Sequence, residues 1–400
     1  MNAFEVLRAR GFVKQFTEGA PALLEGSEPV TFYVGFDPTG ASLHVGHLLP
    51  VMAMAHLQRA GHRPIAVVGG GTAMIGDPTG RDTSRQMLTS EQLEVNKAGL
   101  RGQLSLLLDL SDGEGMLVDN ASWLCDWNYL DFLRDVGVHF PMRPMLNKAS
   151  VQERLDKGMS FLEFNYQVLQ AYDFLELYRQ HGCILQMGGD DQWGNIVAGV
   201  GLVRRVEQRT VHALTFPLLT RSDGKKMGKT AAGAVWLDAG MLSPYDYFQY
   251  WVNVDDRDVG KLLRIFTFLP LQRIEALEAL QGAETREAKR VLALEATAII
   301  HGQTEAQRAL EGARAAFSGG AAKAAMPNHR VELPAALTAV LKGSKLCTST
   351  SDARRQIQGN AIRLGDRRIS DVHYSLSEED FTDGEVVLWR GKKKAVVLLL

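Results

Sequence analysis

The residues best suited to phosphate chemistry crowd into one stretch, Asp223–Thr230, which reads DGKKMGKT. Its ending resembles the close of a nucleotide-binding loop of the form G-x-x-x-x-G-K-[ST]. The spacing breaks that reading, because Asp223 stands where the first glycine belongs and Gly224 comes one residue late. A degraded loop, a solvated basic turn and a different phosphate device are therefore all open here. Two histidines, His44 and His47, form a second group in the run HVGH. At i and i+3 they share one face of a helix, where they suit a metal, an anion or an ordinary surface or core position. Zinc needs further ligands at fitting spacing, and none lies nearby. Backbone N–H groups at a helix start joined by two imidazole donors suit an anion better. Gly46 between them would let a nucleotide approach closely.

A third group lies in FLEFNYQVLQAYDFLELY, which is apolar nearly all round and reads as a buried helix. Its polar exceptions Tyr166, Gln170 and Asp173 fall at i, i+4 and i+7, on one face. Such a row on an amphipathic helix usually meets solvent. Flanked by apolar residues, it is expected to line a polar cavity that can hold an ammonium and a hydroxyl. GGDDQWGN, Gly188–Asn195, sets glycines and acids ahead of a helix, where Asp191 suits a ribose. A plain turn with a helix cap explains the same letters.

The elements that must position these groups alternate. TFYVGF, PIAVVG, MLVDN, CILQMGG and HALTFPLL read as strands, with helical runs between them. This order predicts a parallel sheet with helices on both faces, binding its ligands beyond the carboxyl ends of the strands. From Pro244 to Ala316 the periodicity turns helical throughout. SGGAAKAAMPNHRVELP then has linker composition, and a compact module of helix, strands and turns follows it.

Composition narrows the function classes. A chain of 400 residues that is 46% hydrophobic and 22% charged can bury more than one core. The net charge of −2 excludes wholesale coating by nucleic acid. The last sixty residues nonetheless hold 11 Lys/Arg against 8 Asp/Glu, a mild basic bias. Cys125, Cys183 and Cys347 are too few and too far apart for a disulfide framework or a zinc knuckle, and fit a reducing compartment. The N-terminal MNAFEVLRARGF lacks the apolar stretch of a signal peptide, and AVVLLL is too short to cross a bilayer. A cytoplasmic protein without a membrane partner is expected.

YVGFDPTGASLHVGH, GDPTGR, NYQVLQAYD, GGDDQWGN and KMGKT together resemble the ordered motifs of bacterial tyrosyl-tRNA synthetases, which are class I aminoacyl-tRNA synthetases. HVGH is similar to their HIGH signature and KMGKT to their KMSKS signature. The resemblance runs from about Phe4 to the C-terminus. It implies an α/β, Rossmann-like catalytic domain over 1–222 and a lysine-signature loop over 223–243. An α-helical domain over 244–317, a linker over 318–332 and a small α+β RNA-binding module over 333–400 would follow. The implied reaction joins L-tyrosine to ATP, giving tyrosyl-adenylate and pyrophosphate, and then moves tyrosine to its tRNA. ATP would act with Mg²⁺, and no structural metal is expected. The family also implies a homodimer, for which Leu130–Val138 offers an apolar contact.

The resemblance carries roles onto individual residues. Tyr33 and Asp173 would meet the tyrosine hydroxyl, while Asp77, Tyr166 and Gln170 would hold its ammonium. Gln192 would lie near the carboxylate and ribose. Gly35, Asp37, Thr39, His44, Gly46, His47, Gly189 and Asp191 would line the ATP site. Arg81 and Arg85 resemble a basic loop over the pyrophosphate, and Lys226 and Lys229 would be the signature lysines. Lys148, Arg204 and Arg205 match positions that approach the acceptor stem. Arg354, Arg355, Arg363, Arg367 and Arg368 are the candidate RNA contacts of the C-terminal module.

Three positions depart from the family pattern. Gly228 and Asp190 replace frequent serines, the first removing a hydroxyl donor and the second adding negative charge next to the ATP site, and Pro50 falls within the helix after HVGH. Three rival readings are weaker. A tryptophanyl-tRNA synthetase shares the sheet but needs a different pocket and lacks the C-terminal module. A non-catalytic RNA-binding paralogue would not need HVGH, Asp191 and both lysines. A P-loop NTPase lacks its motif.

Overall fold

The computed structural model describes residues 1–77, 88–224, 227–230, 233–318, 326–391 and 394–400, with backbone alone at 149–150, 229–230 and 315–318. The chain forms two compact units, Met1–Met241 with Val254–Leu292, and Leu242–Asn253 with Ala293–Leu400.

The apolar runs of the first unit become one six-stranded sheet. Its strands are β1 (Gln15–Phe16), β2 (Thr31–Phe36), β3 (Arg63–Val68), β4 (Met116–Asp119), β5 (Leu185–Gly189) and β6 (His212–Phe216). They lie in the order β1-β6-β5-β2-β3-β4. All neighbours are parallel except β1, which runs antiparallel to β6 as a short edge strand. That edge strand carries no alternating pattern and is too short to be read from sequence. In β3 every residue from Pro64 to Val68 is buried, as expected for a strand covered on both faces. Chain order reverses between β2 and β5. The carboxyl ends of those two strands therefore open a crevice, and they carry Gly35–Asp37 and Gly188–Asp191.

Local signals set the helices around that crevice. Phe161–His181 starts at a capping box formed by Ser160 and Glu163 and stops at Gly182, whose φ is 61°. Glu163 also pairs with Arg154 at 3.0 Å, and both side chains are buried. The helix Val45–Arg59 runs unbroken past Pro50. Proline lacks the N–H that would bond the Gly46 carbonyl, so one acceptor near the helix start is freed without a break. The helix Ser90–Leu104 clamps the loop before HVGH. Asn96 Nδ2 donates to the Pro38 carbonyl at 3.0 Å, and the Gln103 amide takes the Leu43 N–H at 2.7 Å.

Residues 254–280 also belong to this unit through Val259–Phe266 and Leu271–Glu278. Buried Arg10, at the end of helix Ala3–Arg10, donates to the carbonyls of Arg264, Thr267 and Leu269, in the last turn of the first of these helices and just after it. Three charge-assisted bonds satisfy acceptors a helix end leaves open.

The second unit holds the helices Pro244–Val252 and Gln303–Ser318, the end of Thr285–His301, and a C-terminal module. That module has a five-stranded sheet and the helices Leu337–Gly343 and Thr350–Gln358. Leu337, Leu341, Ile357, Ile362, Leu388 and Leu398 form its own buried core. The expected helical region 244–317 is thus shared between the two units.

Candidate active site

Asp173 lies at the centre of a buried network at the sheet's carboxyl end. Its Oδ1 accepts from Trp123 Nε1 at 2.8 Å and its Oδ2 from Asn120 Nδ2 at 3.0 Å. The Asn120 amide is fixed in this direction because its Oδ1 takes the Gly71 N–H at 2.8 Å. The relay continues from Asn120 to Thr72 Oγ1 at 3.1 Å, from Thr72 to Asp37 Oδ1 at 2.8 Å, and from Tyr166 Oη to Asp37 Oδ2 at 2.9 Å. Close backbone approach makes this possible. A Cβ on Gly69 would lie 2.2 Å from Asp37 Oδ1 and 2.4 Å from Thr72 Oγ1.

The electrostatics suit a cationic, hydroxyl-bearing ligand. Burial pushes the Asp173 carboxyl up to about 7, against the pull of Asn120 and Trp123 and with help from Asp37. Tyr33 on β2 is 1% exposed, and its hydroxyl has no hydrogen-bond partner among the described residues. Burial first, and the Asp173 charge second, raise its phenol far above the usual tyrosine range. Gln170 carries a buried Oε1 that likewise has no donor among the described residues. Tyr166 is raised by burial and by the charges of Asp37, Asp77 and Asp173, so three carboxylates converge on its ring. Gln192 Nε2 donates to Asp77 Oδ2 at 2.7 Å and links this end to GGDDQWGN. The row Tyr166, Gln170, Asp173 is thus turned inward, with Tyr166 and Asp173 buried and hydrogen-bonded in one polar network.

HVGH opens the helix after β2. His44 is itself the N-cap of Val45–Arg59, with its Nδ1 accepting from Gly46 N at 3.0 Å. His47 Nδ1 accepts from His44 N at 3.3 Å, and the two rings stack at 3.9 Å. An Nδ1 that accepts leaves the proton of a neutral ring on Nε2, so both rings offer N–H donors away from the backbone.

Described residues of the lysine loop bond to the HVGH segment. Val45 N donates to Val235 O and Leu237 N to Leu43 O, while Val235 N donates to Gly228 O. Gly228 has φ +88°, and a Cβ there would lie 3.1 Å from Gly46 N. Its left-handed backbone and this close approach give glycine a structural reason at this position. Lys226, Arg81 and Arg85 lie outside the described residues, as does the side chain of Lys229.

Beyond β5, the Asp191 carboxylate lies over the Gly189 backbone, where a Cβ would be 2.5 Å from its Oδ1. Gly35 faces open space on its Cβ side, and Thr39 is exposed. Asp37 was expected at the ATP site. Its carboxylate oxygens accept from Thr72 Oγ1 and Tyr166 Oη, within the Asp173 network. Asp190 turns away from the crevice: its Oδ1 accepts from Gln15 Nε2 at 2.6 Å and from Thr215 Oγ1 at 2.9 Å. Among the described residues, no group of three or more His, Cys, Asp and Glu is placed to hold a metal.

Known proteins share both the sequence and the architecture. A family model described as tRNA synthetases class I (W and Y) matches residues 25–318. A second, the tyrosine–tRNA ligase SYY-like C-terminal domain, matches residues 320–398. The tyrosine–tRNA ligase of Clostridium botulinum (strain 657 / Type Ba4) is 49% identical over 98% of this chain and 98% of its own. The chain belongs to the tyrosine–tRNA ligase family. The Clostridium kluyveri ligase (strain ATCC 8527) is 48% identical, again over 98% of both chains. Among solved structures, a C-terminally truncated mitochondrial tyrosyl-tRNA synthetase of Aspergillus nidulans aligns with a TM-score of 0.71 at 32% identity. It covers 78% of this chain and 93% of that one.

The residues matched to RNA contacts of the family differ in their surroundings. Arg204 and Arg205 are exposed near the end of the helix Trp193–Glu207. Lys148 instead has a buried Nζ without a partner among the described residues, and its stem lies against Gly194. Burial lowers its pKa to about 8. In the C-terminal module, Arg363 pairs across strands with Arg368 and on its other side with Trp389, over whose ring its guanidinium lies at 5.2 Å. Exposed Arg354 and Arg355 sit on Thr350–Gln358. Arg367 is engaged internally, bonded to Tyr374 and paired with Asp380.

Sequence reasoning missed Asn120, Trp123 and Thr72. All three follow the carboxyl ends of β3 and β4, and for Asn120 and Trp123 the available signal was NASW directly after β4. In the sequence those letters read as a strand end and a helix cap.

Proposed function

We infer that the protein activates L-tyrosine with ATP, releasing pyrophosphate, and passes the tyrosyl group to the 3′ end of its tRNA. The observation that carries the reading is the hydroxyl end of the pocket, where an unpartnered Tyr33 phenol stands by a carboxylate held by Asn120 and Trp123. A tyrosine hydroxyl donates to Asp173 and accepts from Tyr33. Phenylalanine leaves both buried groups unmet, so it is rejected at the binding step without an editing site.

Asp77, Tyr166 and Gln170 hold the ammonium, and Gln192 directs the carboxylate. The carboxylate oxygen attacks the α-phosphorus of ATP, and the bond to the β-phosphate oxygen breaks as pyrophosphate leaves. No side chain becomes covalently bound, so catalysis rests on alignment and charge. The Nε2–H donors of His44 and His47 face the phosphate, while Lys226, Lys229, Arg81 and Arg85 meet the leaving pyrophosphate. Gly35, Asp37, Thr39, Gly46, Gly189 and Asp191 line the nucleotide, with Asp191 on the ribose. ATP enters as its Mg²⁺ complex.

The tRNA follows the basic residues. Arg204 and Arg205 meet the acceptor stem, where the burial of Lys148 Nζ reduces its share, and Arg354, Arg355, Arg363 and Arg368 meet RNA through the module at 333–400. The internal ties of Arg367 reduce its share. Catalysis belongs to 1–222 with the loop 223–243, while 244–317 forms the helical connection and 318–332 the linker. The protein works as a homodimer through the segment Leu130–Val138, whose end residues are 71% and 70% exposed. Its place is the cytoplasm, where three free thiols are stable.

Pyrophosphate exchange into ATP with each of the twenty amino acids tests the reading. Exchange with tyrosine alone is expected. Exchange with tryptophan, or with none, overturns it.

A further inference from the structure

The proposed nucleotide site contains an acid that no ligand contact explains. Asp190 immediately precedes Asp191, the ribose residue, yet its carboxylate points the other way, into the corner between β1 and β6. One oxygen, Oδ1, accepts from both Gln15 Nε2 at 2.6 Å and Thr215 Oγ1 at 2.9 Å. Gln15 and Thr215 are themselves register partners, and the Gln15 N–H donates to Thr215 Oγ1 at 3.1 Å. Thr215 is fully buried. Carboxylate, amide and hydroxyl therefore close a small cycle that ties the turn after β5 to two other strands.

The frame behind this cycle is rigid. Gln15 follows the helix Ala3–Arg10, whose Arg10 is fastened to three carbonyls at 264, 267 and 269. Hydrogen bonds to an ionised acceptor are roughly twice as strong as neutral ones. A carboxylate oxygen also reaches one bond further from the backbone than a serine hydroxyl does. Two adjacent acids repel less when they face opposite ways, so the outward turn of Asp190 favours the inward placement of Asp191.

We propose that Asp190 is a positioning residue for ATP: held by Gln15 and Thr215, it fixes the turn that sets the Asp191 carboxylate over Gly189. The inference rests on the reading of Asp191 as the ribose contact. It extends the nucleotide site to Gln15, a residue of the N-terminal edge strand.

Steady-state pyrophosphate exchange with the full chain separates the two readings. Asp190→Ala and Gln15→Ala each raise KM for ATP roughly five- to tenfold and leave KM for tyrosine unchanged. The double variant is no worse than Asp190→Ala, because both remove one cycle. Asp190→Asn keeps the accepting oxygen and returns KM for ATP to within about twofold of the parent. A merely structural role moves both KM values together with the melting temperature, and that outcome overturns the proposal. So does an unchanged KM for ATP in Asp190→Ala, or failure of Asp190→Asn to rescue. Asp191→Ala reports on the underlying reading. If it raises KM for ATP while Asp190→Ala is silent, the positioning inference fails alone. If Asp191→Ala is silent, the ribose assignment falls and the inference with it.

Discussion

Lowering pH from 8 to 6 should weaken selection of tyrosine over phenylalanine, because the group that reads the hydroxyl titrates inside that interval. Burial, with the nearby charge of Asp37, pushes Asp173 up to about 7 even though Asn120 and Trp123 donate to it. A carboxyl titrating there is about 90% ionised at pH 8 and about 10% at pH 6. Only the ionised form accepts from the substrate hydroxyl on either oxygen. The ratio of kcat/KM for tyrosine to that for phenylalanine should therefore fall about tenfold across the interval. Groups that act on the phosphate affect both substrates alike, so the ratio isolates Asp173. Pyrophosphate exchange at saturating ATP and constant ionic strength measures it, and Asp173→Asn should flatten the profile. A constant ratio from pH 6 to 8, or an unchanged slope in Asp173→Asn, refutes the reasoning. Stability gives an independent check on sign. The folded pKa lies above the unfolded 3.8, so the native state binds more protons between about pH 4 and 7. Unfolding free energy should fall as pH rises through that window, by about 4 kcal/mol from this group at full titration. Bound tyrosine, by donating to the carboxylate, should shrink the slope.

Tyr33→Phe removes a hydroxyl that has no partner in the free protein, so the melting temperature should hold or rise while KM for tyrosine increases about three- to tenfold. A fall in melting temperature by calorimetry would show that the phenol is bonded at rest. Gly228→Ala forces a side chain into a φ of +88° and against Gly46 N, at roughly 1–2 kcal/mol of backbone strain. Single-turnover activation should slow about five- to thirtyfold with tyrosine affinity intact, and an unchanged rate counts against the docked loop. Paired Arg363→Ala and Arg368→Ala should weaken tRNA binding, lower its log–log salt slope by about 1.5, and spare pyrophosphate exchange. An unaltered slope removes that face from the RNA interface.

The sequence by itself determined the frame. Its apolar runs became the strands, its HVGH opened a helix, and the row Tyr166, Gln170, Asp173 turned inward because its flanks were too apolar to face water. These features are local, written in periodicity and spacing along one segment. The sheet's order and its antiparallel edge at β1 were decided by contacts between segments far apart in sequence. So were the partners of the chemistry-bearing residues. Asn120 and Trp123 lie about fifty residues from Asp173, and nothing in VDNASW announces that they hold its carboxylate. Asp190 read as added charge beside the nucleotide until Gln15, 175 residues away, gave it a partner on the other side. Gly228 read as a lost hydroxyl until its backbone angle and the approach of Gly46 gave it a steric reason. Residue type sets what a side chain can do, while hydrogen-bond partners and buried charge, which only tertiary contacts supply, decide which of those things it does.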